Sequence, residues 1–110
     1  MIKKFENFNT NEVTDTVKDI CLELEDQGYN VLHSSVDDLF ENNNSVNIRR
    51  IKDDHFVSFS PNDIKEVIDR LKEYLCSNWI VLRFSYDLYS YTGSIDWGKK
   101  VASVKIQYRT

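Results

Sequence analysis

WIVLRFSYDL (Trp79–Leu88) and VASVKIQYR (Val101–Arg109) decide the fold class. In the first, Ile80, Leu82, Phe84 and Tyr86 alternate with Val81, Arg83 and Ser85. In the second, Ala102, Val104, Ile106 and Tyr108 alternate with Ser103, Lys105, Gln107 and Arg109. Successive side chains of a strand point to opposite faces, so each stretch has one apolar and one polar face. Strands of this kind belong to an antiparallel sheet covered on one side and wet on the other.

Working outward, YNVLHSSV (Tyr29–Val36) reads as a further strand, and VNIRRIK and HFVSFS flank Asp53-Asp54 as a hairpin. DDLFENNNS between them reads as a polar loop with Leu39 and Phe40 turned inward. Two helices complete the pattern. Val13, Val17, Ile20, Cys21 and Leu24 recur at helical spacing, with Asn9, Thr10 or Asn11 as the cap and Gly28 as the stop. Residues 1–10 read as a lead-in anchored by Phe5 and Phe8. Ser60-Pro61 is an N-cap serine followed by proline at the first helical position, and Ile64, Val67, Ile68, Leu71 and Leu75 form the apolar stripe behind it. That helix is expected to end near Cys76-Ser77-Asn78.

The order is α-β-β-β-α-β-β. The expected fold is a single α+β domain over residues 1–110: a two-layer sandwich, its sheet mostly antiparallel, with both helices on one face. An internal echo runs through it. VKDICLEL (Val17–Leu24) matches IKEVIDRL (Ile64–Leu71) in apolar spacing, and VNIRR matches VKIQYR, which is readable as a duplicated α-β-β unit. The first five elements share their order with the double-stranded-RNA-binding domain. That family requires a basic start to its last helix, and this helix opens Asn62-Asp63-Ile64-Lys65-Glu66, so the match is rejected.

Composition narrows the function. The chain has 110 residues, 41% of them apolar and 13% aromatic, enough for a real core without metals or disulfides. No apolar run approaches the roughly 20 residues of a bilayer span, and MIKKFENFN lacks a signal-peptide core. With two unspaced cysteines, Cys21 and Cys76, the expectation is a cytoplasmic protein. There is no GxSxG, HExxH, P-loop or dinucleotide turn, and only three glycines for a phosphate cradle. His33 and His55 are single strand histidines, and Asp53-Asp54-His55 reads as a polar turn rather than a ligand set. The expectation is a protein that is not an enzyme, with no catalytic residue, cofactor or metal.

Charge is distributed unevenly around a net −4. From Asn11 to Glu41 the acids Glu12, Asp15, Asp19, Glu23, Glu25, Asp26, Asp37, Asp38 and Glu41 face one base, Lys18; from Trp97 onward there are only bases, Lys99, Lys100, Lys105 and Arg109. Glu12, Asp15, Asp19, Glu23 and Asp26 step along one helix face, which is either solvated or a dock for a basic partner. Arg83, Lys105, Gln107 and Arg109 fall on the polar side of their strands, with Arg49 or Arg50 beside them. An open sheet face carrying cations is a surface on which nucleic-acid modules bind single strands. The connection YDLYSYTGSIDWGKK (Tyr86–Lys100) gathers Tyr89, Tyr91 and Trp97. It is expected to be either a partner-contact loop or a β-arm with Thr92-Gly93-Ser94 at its tip.

The start MIKKFENFN, the helix exit LEDQGYNV and the helix DIKEVIDRLKEYL resemble small accessory proteins of tailed bacteriophages. That resemblance implies a protein working in the host cytoplasm by binding and inhibiting a host defence or regulatory factor, or a minor virion part. The leading expectation is a protein–protein contact through Tyr89, Tyr91 and Trp97. The alternatives are nucleic-acid binding through Arg83, Lys105 and Arg109, and a structural homodimer formed through a free strand edge.

Overall fold

The computed structural model describes residues 2–37, 42–86, 91–92 and 96–109, with residues 2–11, 36–37, 42 and 91–92 described by their backbone alone. The fold is α+β, with helix α1 (Ile2–Asp26), strands β1 (Tyr29–Asp37), β2 (Asn42–Lys52) and β3 (His55–Val57), helix α2 (Lys65–Leu75), then β4 (Trp79–Ser85), β5 (Tyr91–Thr92) and β6 (Ser103–Arg109). The sheet is antiparallel in the order β1-β2-β6-β4-β5, and β3 pairs with the end of β2.

One core joins the helices to one face of the sheet. Val17, Cys21 and Leu24 of α1 and Val67, Ile68, Leu71 and Leu75 of α2 are buried with Val31, Val46, Ile48, Phe84, Val104, Ile106 and Tyr108. The register explains why one sheet face supplies all of these. Val31 lies opposite Ile48, Val46 opposite Ile106, Ile48 opposite Val104, and Phe84 opposite Val104. Residues directly opposite one another share a face.

Several local expectations are corrected. The lead-in is helical: α1 runs from Ile2, with no cap at 9–11. No proline or glycine interrupts residues 1–27, and asparagine and threonine each cost a helix only about 0.7 kcal/mol or less relative to alanine. The Phe5, Phe8, Leu39 and Phe40 side chains lie outside the described residues. NNNS belongs to β2, which makes a nine-pair hairpin with β1 from Tyr29↔Arg50 to Asp37↔Asn42. HFVSFS is strand only over His55–Val57, with Phe59 bridging to Val101. Ile80 is 38% exposed because the register slips between Trp79 and Val81. That bulge turns Trp79, instead of Ile80, toward the core. Thr92 and Tyr91 pair with Phe84 and Ser85 of β4, while Tyr89, Ser90, Gly93, Ser94 and Ile95 of the expected β-arm lie outside the described residues.

Two turns show the backbone cost of short connections. Gly28 ends α1 at φ 93°, the left-handed conformation that glycine adopts at least cost, and its carbonyl accepts from the Ile51 amide at 3.1 Å. Asp53 and Asp54 both have positive φ, 52° and 64°, as the tightest β-hairpin turn requires. Pro61 opens a 3-10 turn (Pro61–Ile64) that leads into α2. Ser60 is its N-cap but makes no side-chain capping bond. Its hydroxyl donates instead to the Trp97 carbonyl at 3.3 Å.

Candidate functional site: the open face of the sheet

The helices cover one face of the sheet, and the alternation of each strand sends the other half of its side chains to the opposite face. In register across β1, β2, β6 and β4 lie Leu32, Asn47, Lys105 and Arg83, and in the next row Ser34, Ser45, Gln107 and Val81. Arg49 follows Asn47 along β2, opposite Asn30, and Arg109 lies opposite Asn43. Four cations therefore share this face: Arg49, Arg83, Lys105 and Arg109. Among the described residues no acidic side chain occupies a strand position there.

Arg83 and Lys105 are direct cross-strand neighbours. Like charges so placed destabilise a sheet, and among the described residues neither belongs to an ion pair. The register also decides between the two β2 arginines. Arg50 points to the helix side, where its Nη1 donates to the Tyr29 hydroxyl at 2.9 Å and its guanidinium lies 5.0 Å from the centre of the Tyr29 ring. Arg49 faces the open side, 4.3 Å from the centre of the Phe56 ring.

Phe56 is the aromatic of this face that sequence reasoning missed. It lies opposite Ile51 and is 56% exposed. The available signal was the alternation in HFVSF, which separates Phe56 from Val57 and Phe59. Its use required knowing that only Phe59 reaches the core. Asn43 and Asn47 were also missed. Their Oδ1 atoms, and Nε of Arg49, are buried without a hydrogen-bond partner among the described residues.

The aromatic connection is organised differently. Tyr89 lies outside the described residues, and Tyr91 is described only through its backbone pairing with Ser85. Trp97 is half-buried, its ring edge-to-face with Phe84 at 5.3 Å and 87°. Its carbonyl accepts from the Asn62 amide and the Ser60 hydroxyl, and the Lys65 ammonium sits 5.4 Å from its ring centre. The Gly98 amide donates to Asp96 Oδ1 at 3.0 Å, closing the turn after it. The structure thus brings Arg83, Lys105 and Arg109 onto one surface and places Trp97 as a clamp on the core.

The remaining reactive groups are dispersed. Cys21 is buried, and burial, reinforced by Glu25, pushes its thiol up to about 12. Cys76 is exposed and its thiol donates to the Glu73 carbonyl at 2.9 Å. Burial, aided by Lys18, holds His33 below the ordinary histidine range against an opposing pull from Glu25. Among the described residues no group of three His, Cys, Asp or Glu side chains is placed to hold a metal, and no helix is long and apolar enough to cross a membrane. On α1, Glu12, Asp15, Asp19 and Asp26 are exposed, while Glu23 forms an ion pair with Arg70 of α2.

No family model, curated protein or solved structure matches this chain.

Proposed function

We propose that this chain is a non-enzymatic binding module that receives an anionic partner on the open face of its sheet. The observation that carries this reading is the adjacency of Arg83 and Lys105, with Arg49 and Arg109 on the same face and no acid at a described strand position among them. A face that served only solubility would gain by pairing Arg83 and Lys105 with carboxylates. An unrelieved like-charge pair is instead a standing cost that an anionic ligand removes.

The net charge of −4 does not oppose this reading. Most exposed acids, Glu12, Asp15, Asp19, Glu25, Asp26, Asp63, Glu66, Asp69 and Glu73, lie on or beside the helices, beyond the sheet from the cations, while Asp53 and Asp54 sit in the β2–β3 turn at the Phe56 end and Asp96 in the turn before β6. A helix is about 10 Å across, and at physiological salt exposed charges are largely screened beyond about 8 Å. The two faces act as separate fields. Contact through Tyr89, Tyr91 and Trp97 has less support, because Trp97, whose side chain alone of the three is described, commits its ring to Phe84.

The test is retention on immobilised heparin, a flexible polyanion without bases. The wild type is expected to be retained at physiological salt, and Lys105→Glu and Arg83→Glu to elute much earlier. Lys105→Glu converts a like pair into an opposite pair, so it should also raise unfolding stability by about 0.5 kcal/mol. A wild type that passes through heparin unretained would sink this reading.

A further inference from the structure

We infer that the anionic partner of this face is a single-stranded nucleic acid, one base of which stacks on Phe56. The inference rests on the binding face proposed above and adds to it the kind of ligand and the residue that recognises it.

Phe56 stands apart among the exposed hydrophobics. Among the described residues it is the most exposed of the large ones, at 56%, and the only one of them on the open face with an aromatic ring. Its ring already has a cation over it, the Arg49 guanidinium 4.3 Å from the centroid. That contact holds the ring in place and leaves a planar surface about the size of a pyrimidine. Such a surface suits an unpaired base. Base–aromatic stacking contributes about 1–3 kcal/mol per base and tolerates any sequence. A duplex offers no free base face, so the arrangement discriminates against paired strands.

The cations continue from this ring in order. Along β2, Ile51 sits opposite Phe56, Arg49 comes two residues earlier and Asn47 two before that, with Lys105 across from Asn47 and Arg83 across from Lys105. At a rise of about 3.3 Å per residue, Phe56 and Lys105 are roughly 13 Å apart along the strand direction. Arg49 lies between them. The result is a track with an aromatic platform at one end and a basic pair at the other, which an extended backbone of a few nucleotides spans. An acidic protein surface would satisfy the cations and leave the exposed Phe56 ring unused.

The experiment is fluorescence anisotropy with three labelled probes across a salt series: oligo-dT or oligo-U, a duplex of the same length, and heparin. Single strands are expected to bind more tightly than the duplex. Phe56→Ala should weaken single-strand binding about tenfold or more with the salt slope unchanged, and Phe56→Trp should restore it. Lys105→Gln should weaken all three probes and reduce the salt slope by about one. Circular dichroism of each variant reports whether the fold is retained. Equal affinity for single strand and duplex, together with an innocuous Phe56→Ala, would overturn the stacking inference while leaving the basic face in place. Binding of none of the three would overturn both.

Discussion

The two halves of this chain, α1-β1-β2 and α2-β4-β6, agree where they are buried and diverge where they are wet. On the helices Val17, Cys21 and Leu24 correspond by spacing to Ile64, Ile68 and Leu71, and all six are buried. In the sheet Val46 and Ile48 correspond to Val104 and Ile106. Val46 lies opposite Ile106 and Ile48 opposite Val104, so the pairing is symmetric about Asn47↔Lys105. The outer strands follow: Val31 pairs with Ile48 as Leu82 pairs with Ile106. On the open face the correspondence is positional only. Leu32 stands where the second half has Arg83, and Asn47 where it has Lys105. Packing constrains a core position tightly and an open position hardly at all, so the second half is free to carry the charge.

The comparison can be broken most severely in the core. Leu24→Ala and Leu71→Ala occupy corresponding, fully buried positions, and each should cost about 3 kcal/mol. Urea unfolding of the two variants, with unchanged m-values, should agree to within about 1 kcal/mol. A large disparity would mean that the two helices are not equivalent supports.

Trp97 sharpens the contrast, because the described residues of the first half have no counterpart to the clamp it provides. Its indole is only half-buried, so Trp97→Ala should cost about 2 kcal/mol, less than full truncation of a core aromatic. Thermal melting would show this as a clear drop. A melting temperature left in place would return Trp97 to the role of a contact residue.

A smaller effect of opposite sign is expected at the β2–β3 turn. Asp53 and Asp54 each hold a positive φ that asparagine and glycine adopt more readily. The double variant Asp53→Asn, Asp54→Gly should stabilise by about 1 kcal/mol, measurable in the same unfolding assay. No gain would show that some interaction of the aspartates offsets the strain.

The smallest difference lies between His33 and Phe84, which correspond by pairing to Val46 and Val104. Burial, first among its causes, lowers the His33 pKa from 6.5. Between the lowered folded value and 6.5 the unfolded chain therefore binds more protons, and stability falls as the pH drops below about 6.5. Replacing His33 with Phe, as in the second half, should flatten this acid-side slope. An unchanged slope would assign it to other groups.

How much could be read beforehand depended on whether a feature leaves a compositional mark. The second helix was legible from Ser60-Pro61 and the stripe Ile64–Leu75, because proline and amphipathic spacing are strong local signals. The first turns of α1 were not, since Asn9, Thr10 and Asn11 look like a cap although nothing breaks the helix there. The bulge at Ile80 leaves no mark at all, because only the pairing partner reveals the additional residue. The site was legible in the same proportion. Alternation placed Arg83, Lys105 and Arg109 together, whereas choosing Arg49 over Arg50 and recognising Phe56 both required the register of the β2–β3 hairpin.

The unequal cysteines give the protein a chemical clock. At neutral pH a thiol reagent meets Cys76 on the surface at once. Cys21, with its thiol pushed up to about 12, offers almost no thiolate until α1 lifts from the sheet. The delay between the first and second alkylation then counts how often the helix layer opens, and comparing it with and without a ligand reads how strongly occupancy of the far face holds that layer closed.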